Sequence, residues 1–88
     1  MIDVKVHPRV TVRHPEITEE DAIVAWKSAI ASIRRETSEK DFLLAVGFDR
    51  NARLIETIAT EDDQGTVFIF HAMTPPSIKM LREVGLVK

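Results

Sequence analysis

Apolar and polar positions change their period along this chain. Ile2, Val4 and Val6 alternate with Asp3 and Lys5, the period-two pattern of a short edge strand over residues 2–6. His7-Pro8 ends it, because proline has no N–H for a ladder. Residues 9–14 alternate too, yet Pro8 also suits the first turn of a short helix, so both readings stay open. The period then becomes helical. Thr18 stands three residues before Asp21, with Glu19 and Glu20 between them, which is the start signal of a helix whose dipole favours acids in its first turn. Ile23, Trp26, Ile30 and Ile33 follow at helical spacing, with Ala22, Ala25 and Ala29 beside them, and Arg34 and Arg35 suit a last turn. A helix over about 19–35 is expected.

Beyond the polar connection 36–41 the period returns to two. Phe42, Leu44, Val46 and Phe48 share one face of a strand over 42–48. Asp49-Arg50-Asn51-Ala52 reads as a turn with Asn51 at positive φ. Arg53–Thr60 is the next strand, residues 61–65 a second turn, and Thr66–Met73 a third strand rich in β-branched and aromatic residues. Thr74-Pro75-Pro76-Ser77 starts a last helix striped by Ile78, Leu81 and Val84, with Gly85 as its C′ residue and Leu86 returning to Leu81. The expectation is one α+β domain over 1–88: an amphipathic helix on a three- to four-stranded antiparallel sheet, with a short C-terminal helix.

Composition narrows the function classes. The 88 residues are 44% hydrophobic and 30% charged, which suits a globular chain rather than a disordered one. The net charge of −2 lacks the basic excess of a dedicated nucleic-acid binder, so any RNA contact must come from a local cluster. With no cysteine there is no thiol nucleophile, disulfide or Cys-based zinc site. No apolar run approaches the roughly 18 residues of a membrane span, and the N-terminus lacks the apolar stretch of a signal peptide. The expected location is therefore the cytoplasm, with no membrane partner.

One constellation carries chemistry. If the 61–65 turn pairs Thr60 with Val67, Glu56 lies opposite His71. If Asn51-Ala52 is a two-residue loop, Gly47 lies opposite Glu56 and leaves open space beside the pair. A carboxylate–imidazole pair holds one tautomer, as a general acid or base requires. The same residues also read as a salt-bridged pair on a wet face, and a one-residue slip would part them. His7 and His14, each followed by proline, suit turn or cap roles better than a zinc site. No phosphate loop, nucleophile elbow or pair of carboxylates at a catalytic spacing is apparent, and neither metal nor cofactor is expected.

Arg13-His14-Pro15-Glu16-Ile17-Thr18-Glu19-Glu20-Asp21 before the helix, Ala45-Val46-Gly47 and Asn51-Ala52-Arg53-Leu54-Ile55-Glu56 across the first hairpin, and Val67-Phe68-Ile69-Phe70-His71-Ala72-Met73 together resemble the BrnT-type toxins and the related RelE-like ribonucleases. The resemblance spans roughly residues 10–85. It implies a compact α+β toxin fold, metal-independent cleavage of RNA, and a ribbon-helix-helix antitoxin as partner. Arg13 and His14 fall on that family's Lys/Arg-His pair, Gly47 on its strand-end glycine, and Arg53-Leu54 on its hairpin motif. Pro15 and Ala52 replace glycines, and His71-Ala72-Met73 replaces Ser-Ala-Arg. Met73 cannot stabilise a phosphorane as that arginine would. His71 is then the expected acid–base group, with Glu56 and Arg53 as its catalytic partners and with Arg13, His14 and Lys79 holding substrate. The rival reading keeps the fold and drops the activity: a non-catalytic protein-binding module, favoured by the acidic balance. The edge strand at 2–6 also offers itself to a second copy as a homodimer.

Overall fold

The computed structural model describes residues 3–88, and Ile2 of the expected edge strand lies outside them. The elements run β1 (Val4–Val6), α1 (Arg9–Arg13), α2 (Glu19–Lys27), β2 (Ala29–Glu36), β3 (Asp41–Phe48), β4 (Leu54–Glu61), β5 (Val67–Met73) and α3 (Ile78–Glu83). The strands form one sheet in the order β1-β5-β4-β3-β2. β1 runs parallel to β5, and the other neighbours are antiparallel. The class is α+β, but the sheet is mixed and has five strands rather than three or four antiparallel ones. Among the described residues no helix is long and apolar enough to cross a membrane.

The extra strand comes from the second half of the expected long helix. α2 starts as its sequence demands: Thr18 Oγ1 accepts from Asp21 N at 3.0 Å, and Asp21 Oδ2 accepts from Thr18 N at 2.9 Å. It ends at Lys27 instead of Arg35. Ser28 Oγ donates to Val24 O at 2.7 Å and lies 2.9 Å from Phe48 O, tying the helix end to β3. Residues 29–36 then pair with β3, whose buried Leu44 and Val46 need a neighbour on that side. Tertiary pairing overrides the helical spacing of Ile30 and Ile33, which end up 54% and 36% exposed. Residues 9–13, open on sequence alone, form a short helix that begins after Pro8.

Helices cover both sheet faces. On one, α1, α2 and the connection between them pack Val10, Ile17, Ala22 and Ala25 against Ile55, Ala59, Val67, Ile69 and Ala72. On the other, α3 sets Met80 and Val84 on Leu44 and Val46. Gly47 pairs with Ile55, not Glu56, and so faces α2. A Cβ there would meet the Ala25 carbonyl oxygen at 2.2 Å. The glycine makes room for a helix rather than for a substrate.

The first hairpin closes with Asp49 N donating to Arg53 O at 3.0 Å, leaving Arg50, Asn51 and Ala52 as a three-residue loop. Ala52, not Asn51, takes positive φ, at 61°. The C-terminus of α3 follows its sequence closely. Gly85 has φ 84°, Leu86 N donates to Leu81 O at 2.9 Å, and Gly85 N donates to Arg82 O at 3.1 Å.

Candidate functional site

A bulge in β5 builds the site. Ala59 pairs with Ile69 while Ile58 pairs with His71, so Phe70 is an extra residue on the β5 side. In a regular, unbulged register Phe70 would pair with Ile58 and His71 would face α2, because side chains alternate along a strand. With the bulge, both Phe70 and His71 lie on the α3 side. Glu56 sits opposite Met73, not opposite His71, so the expected register is wrong by two residues. A two-residue shift preserves the face, and the pair forms along the diagonal. His71 Nε2 lies 2.7 Å from Glu56 Oε2.

Glu56 is 4% exposed and fully engaged. Its Oε1 accepts from Ser77 N at 2.7 Å, at the start of α3. Burial alone would push the carboxyl up. Hydrogen bonds from His71 and from the Ser77 backbone outweigh it and hold Glu56 below the ordinary glutamate range. An ionised carboxylate has no proton to give. His71 Nε2 therefore donates, and Nδ1 is the ring nitrogen left for a ligand.

His71, Glu56, Ser77, Lys79, Met80, Ile58, Arg35 and Glu83 line a cleft of about 240 Å³. Arg35 is ion-paired with Glu83 across its rim, which leaves Lys79 as the exposed cation there. His14, between α1 and α2, meets His71 edge-on with ring centroids 6.4 Å apart. Its Nδ1 is 3.7 Å from Glu16 Oε1. The fold thus gathers four expected site residues, His71, Glu56, His14 and Lys79. Arg13 is exposed at the end of α1, next to His14 in sequence.

Arg53 belongs elsewhere. Its Nε donates to Asp49 Oδ2 at 2.7 Å, one terminal nitrogen donates to Glu16 O at 2.9 Å, and the other reaches Asp21 Oδ2 at 3.1 Å. This guanidinium clamps the β3–β4 loop to the start of α2. Asp49, buried beneath it, also accepts from the Asn51 and Arg53 amides. Burial would raise that carboxyl, but the bonds from Arg53 and Asn51 hold it below its ordinary value. A donor spent on three protein acceptors is a structural bolt, not a free cation for phosphate.

Sequence reasoning missed Ser77 and Arg35 as cleft residues. The Pro-Pro-Ser start of α3 marked Ser77 as a cap, and its side chain does accept from Met80 N at 3.1 Å. Nothing local showed that its amide would anchor Glu56. Among the described residues no cluster of three or more His, Asp or Glu side chains converges as a metal site would. No protein family matches this chain, and neither a curated protein nor a solved structure matches it.

Proposed function

We propose that the His71 cleft is the active site of a metal-independent endoribonuclease, acting as the toxin-like component of a bacterial toxin–antitoxin pair. The observation that carries this reading is the His71–Glu56 pair at 2.7 Å in an open cleft beside a second histidine and a free lysine. RNA can be cleaved without a metal when one group takes the 2′-hydroxyl proton and another protonates the leaving oxygen. The 2′-oxygen attacks phosphorus, the P–O5′ bond breaks, and a 2′,3′-cyclic phosphate and a 5′-hydroxyl result. His71 Nδ1 and the neighbouring His14 supply the two proton-exchanging groups. Glu56 orients His71, and Lys79 faces the charge that develops on phosphate. The ribbon-helix-helix antitoxin comes with the resemblance of the motifs and the cytoplasmic setting with the hydropathy of the sequence, neither with the geometry.

The test is cleavage of a labelled RNA in excess chelator, with wild type and with His71→Ala, alongside growth of a bacterial host expressing each. Wild type should release cyclic-phosphate ends and arrest growth, and the variant should do neither at equal soluble level. Cleavage that survives His71→Ala would overturn the assignment.

A second reading has its own support. β2 is an edge strand carrying exposed Ile30 and Ile33, and the chain is acidic. A non-catalytic module that pairs this edge with another chain would leave RNA intact and still bind its partner in a pull-down.

A further inference from the structure

α3 covers only part of its sheet face. The remainder bears Phe42 from β3, Thr60 from β4, Phe68 and Phe70 from β5, and Lys5 from β1, rimmed by Arg9 and Lys40. These residues border a depression of about 610 Å³ with no carboxylate in its lining. In a chain of net charge −2 this is a local basic field.

Cations and rings are interleaved. Lys5 Nζ lies 6.0 Å from the Phe68 centroid, and the Arg9 guanidinium 5.5 Å from that of Phe70. Arg9 is held there because its Nε donates to Phe70 O at 3.1 Å. Phe42 and Phe70 meet edge-on at 5.8 Å, while Phe68 is 38% exposed on a folded sheet. Three acids beside this face, Asp41, Glu61 and Asp62, are already occupied. Arg34 engages Asp41 and Glu61, and Asp62 caps its own turn through Gln64 N and Thr66 N. Asp3 is the exception, 4.0 Å from Lys5.

We infer that this half-face binds single-stranded nucleic acid, stacking unpaired bases on Phe68 and Phe70 and holding phosphates on Lys5, Arg9 and Lys40. Aromatic faces beside a basic track bind single strands with little sequence preference. Duplexes bury their base faces and cannot stack there. The bulge sets Phe70 and His71 side by side on this face, so a strand on the platform leads into the His71 cleft. That continuity rests on the ribonuclease reading, whereas the binding face does not.

The test is fluorescence anisotropy of a short labelled oligothymidylate, which lacks the 2′-hydroxyl and cannot be cleaved by that route. Wild type should bind it saturably at low salt, and a duplex of equal length should bind more weakly. Phe68→Ala should weaken binding by roughly tenfold or more. Three phosphate contacts predict a slope of log K against log salt of about −2, and Lys5→Gln with Lys40→Gln should flatten it. Binding that ignores both variants, or no saturable binding at low salt, would overturn the inference. A wild-type dimer that Phe68→Ala makes monomeric would also overturn it, by assigning the face to self-association. Failure of RNA cleavage with intact oligothymidylate binding would sink only the catalytic reading.

Discussion

Replacing Glu56 with alanine tests whether its charge, and not merely its volume, organises the cleft. The carboxylate accepts two bonds of 2.7 Å, from His71 Nε2 and from Ser77 N. Bonds to a charged acceptor contribute about 1.5–3 kcal/mol each, a gross loss of about 3–6 kcal/mol. Removing the carboxylate also relieves its burial cost of several kcal/mol, which offsets part of that loss. The freed Ser77 amide adds about 1–3 kcal/mol of its own. A net destabilisation of about 2–3 kcal/mol is expected. With a urea slope of about 1–1.5 kcal/mol per molar, the midpoint should fall by about 2 M. Trp26, the chain's single tryptophan, packs against the core under α2 and reports unfolding by fluorescence. The pH dependence gives the sharper test. The folded-state pKa of Glu56 is depressed below its ordinary value of about 4.5. Its stabilisation is therefore fully present above that value and is lost as pH falls through the folded pKa. The gap between wild type and Glu56→Ala should be widest at neutral pH and close toward acid. Asp49 titrates in both proteins and cancels from the difference. A gap that stays constant from neutral to acid pH would refute the charge argument and leave only a cavity.

Other substitutions test the frame around the site. Gly47→Ala should destabilise by about 2–3 kcal/mol or more in the same urea assay, because the new Cβ strikes the Ala25 backbone and α2 must shift. Ala52→Gly should stabilise by about 1 kcal/mol, since alanine is strained at φ 61°. Arg53→Leu should cost about 2–4 kcal/mol by stranding buried Asp49, yet leave RNA cleavage per folded molecule unchanged. A cleavage defect in that variant out of proportion to its stability would return Arg53 to the catalytic set.

Local chemistry determined several of the element starts and stops, though not the end of α2. The capping box at Thr18 and Asp21, the proline-led entry to α3, the Gly85 terminus and the three later strands are written in contiguous residues, because caps, turns and alternation act within a few positions. Residues 29–36 show where that reach ends. Their apolar spacing fits a helix, but β3 offers a strand partner that no window of sequence displays. The parallel docking of β1 is likewise a long-range choice. The His71–Glu56 pair was legible as two residues on adjacent strands. Its actual geometry depends on one extra residue at Phe70, which turns His71 to the α3 face, and on the distant Ser77 amide that fixes Glu56. Arg53 matched a motif, and only the folded chain showed its donors already spent on Asp49, Glu16 and Asp21. Sequence specifies which groups are present and how the backbone runs locally. Which of them meet, and which remain free to act, is set by register and packing between segments far apart in the chain.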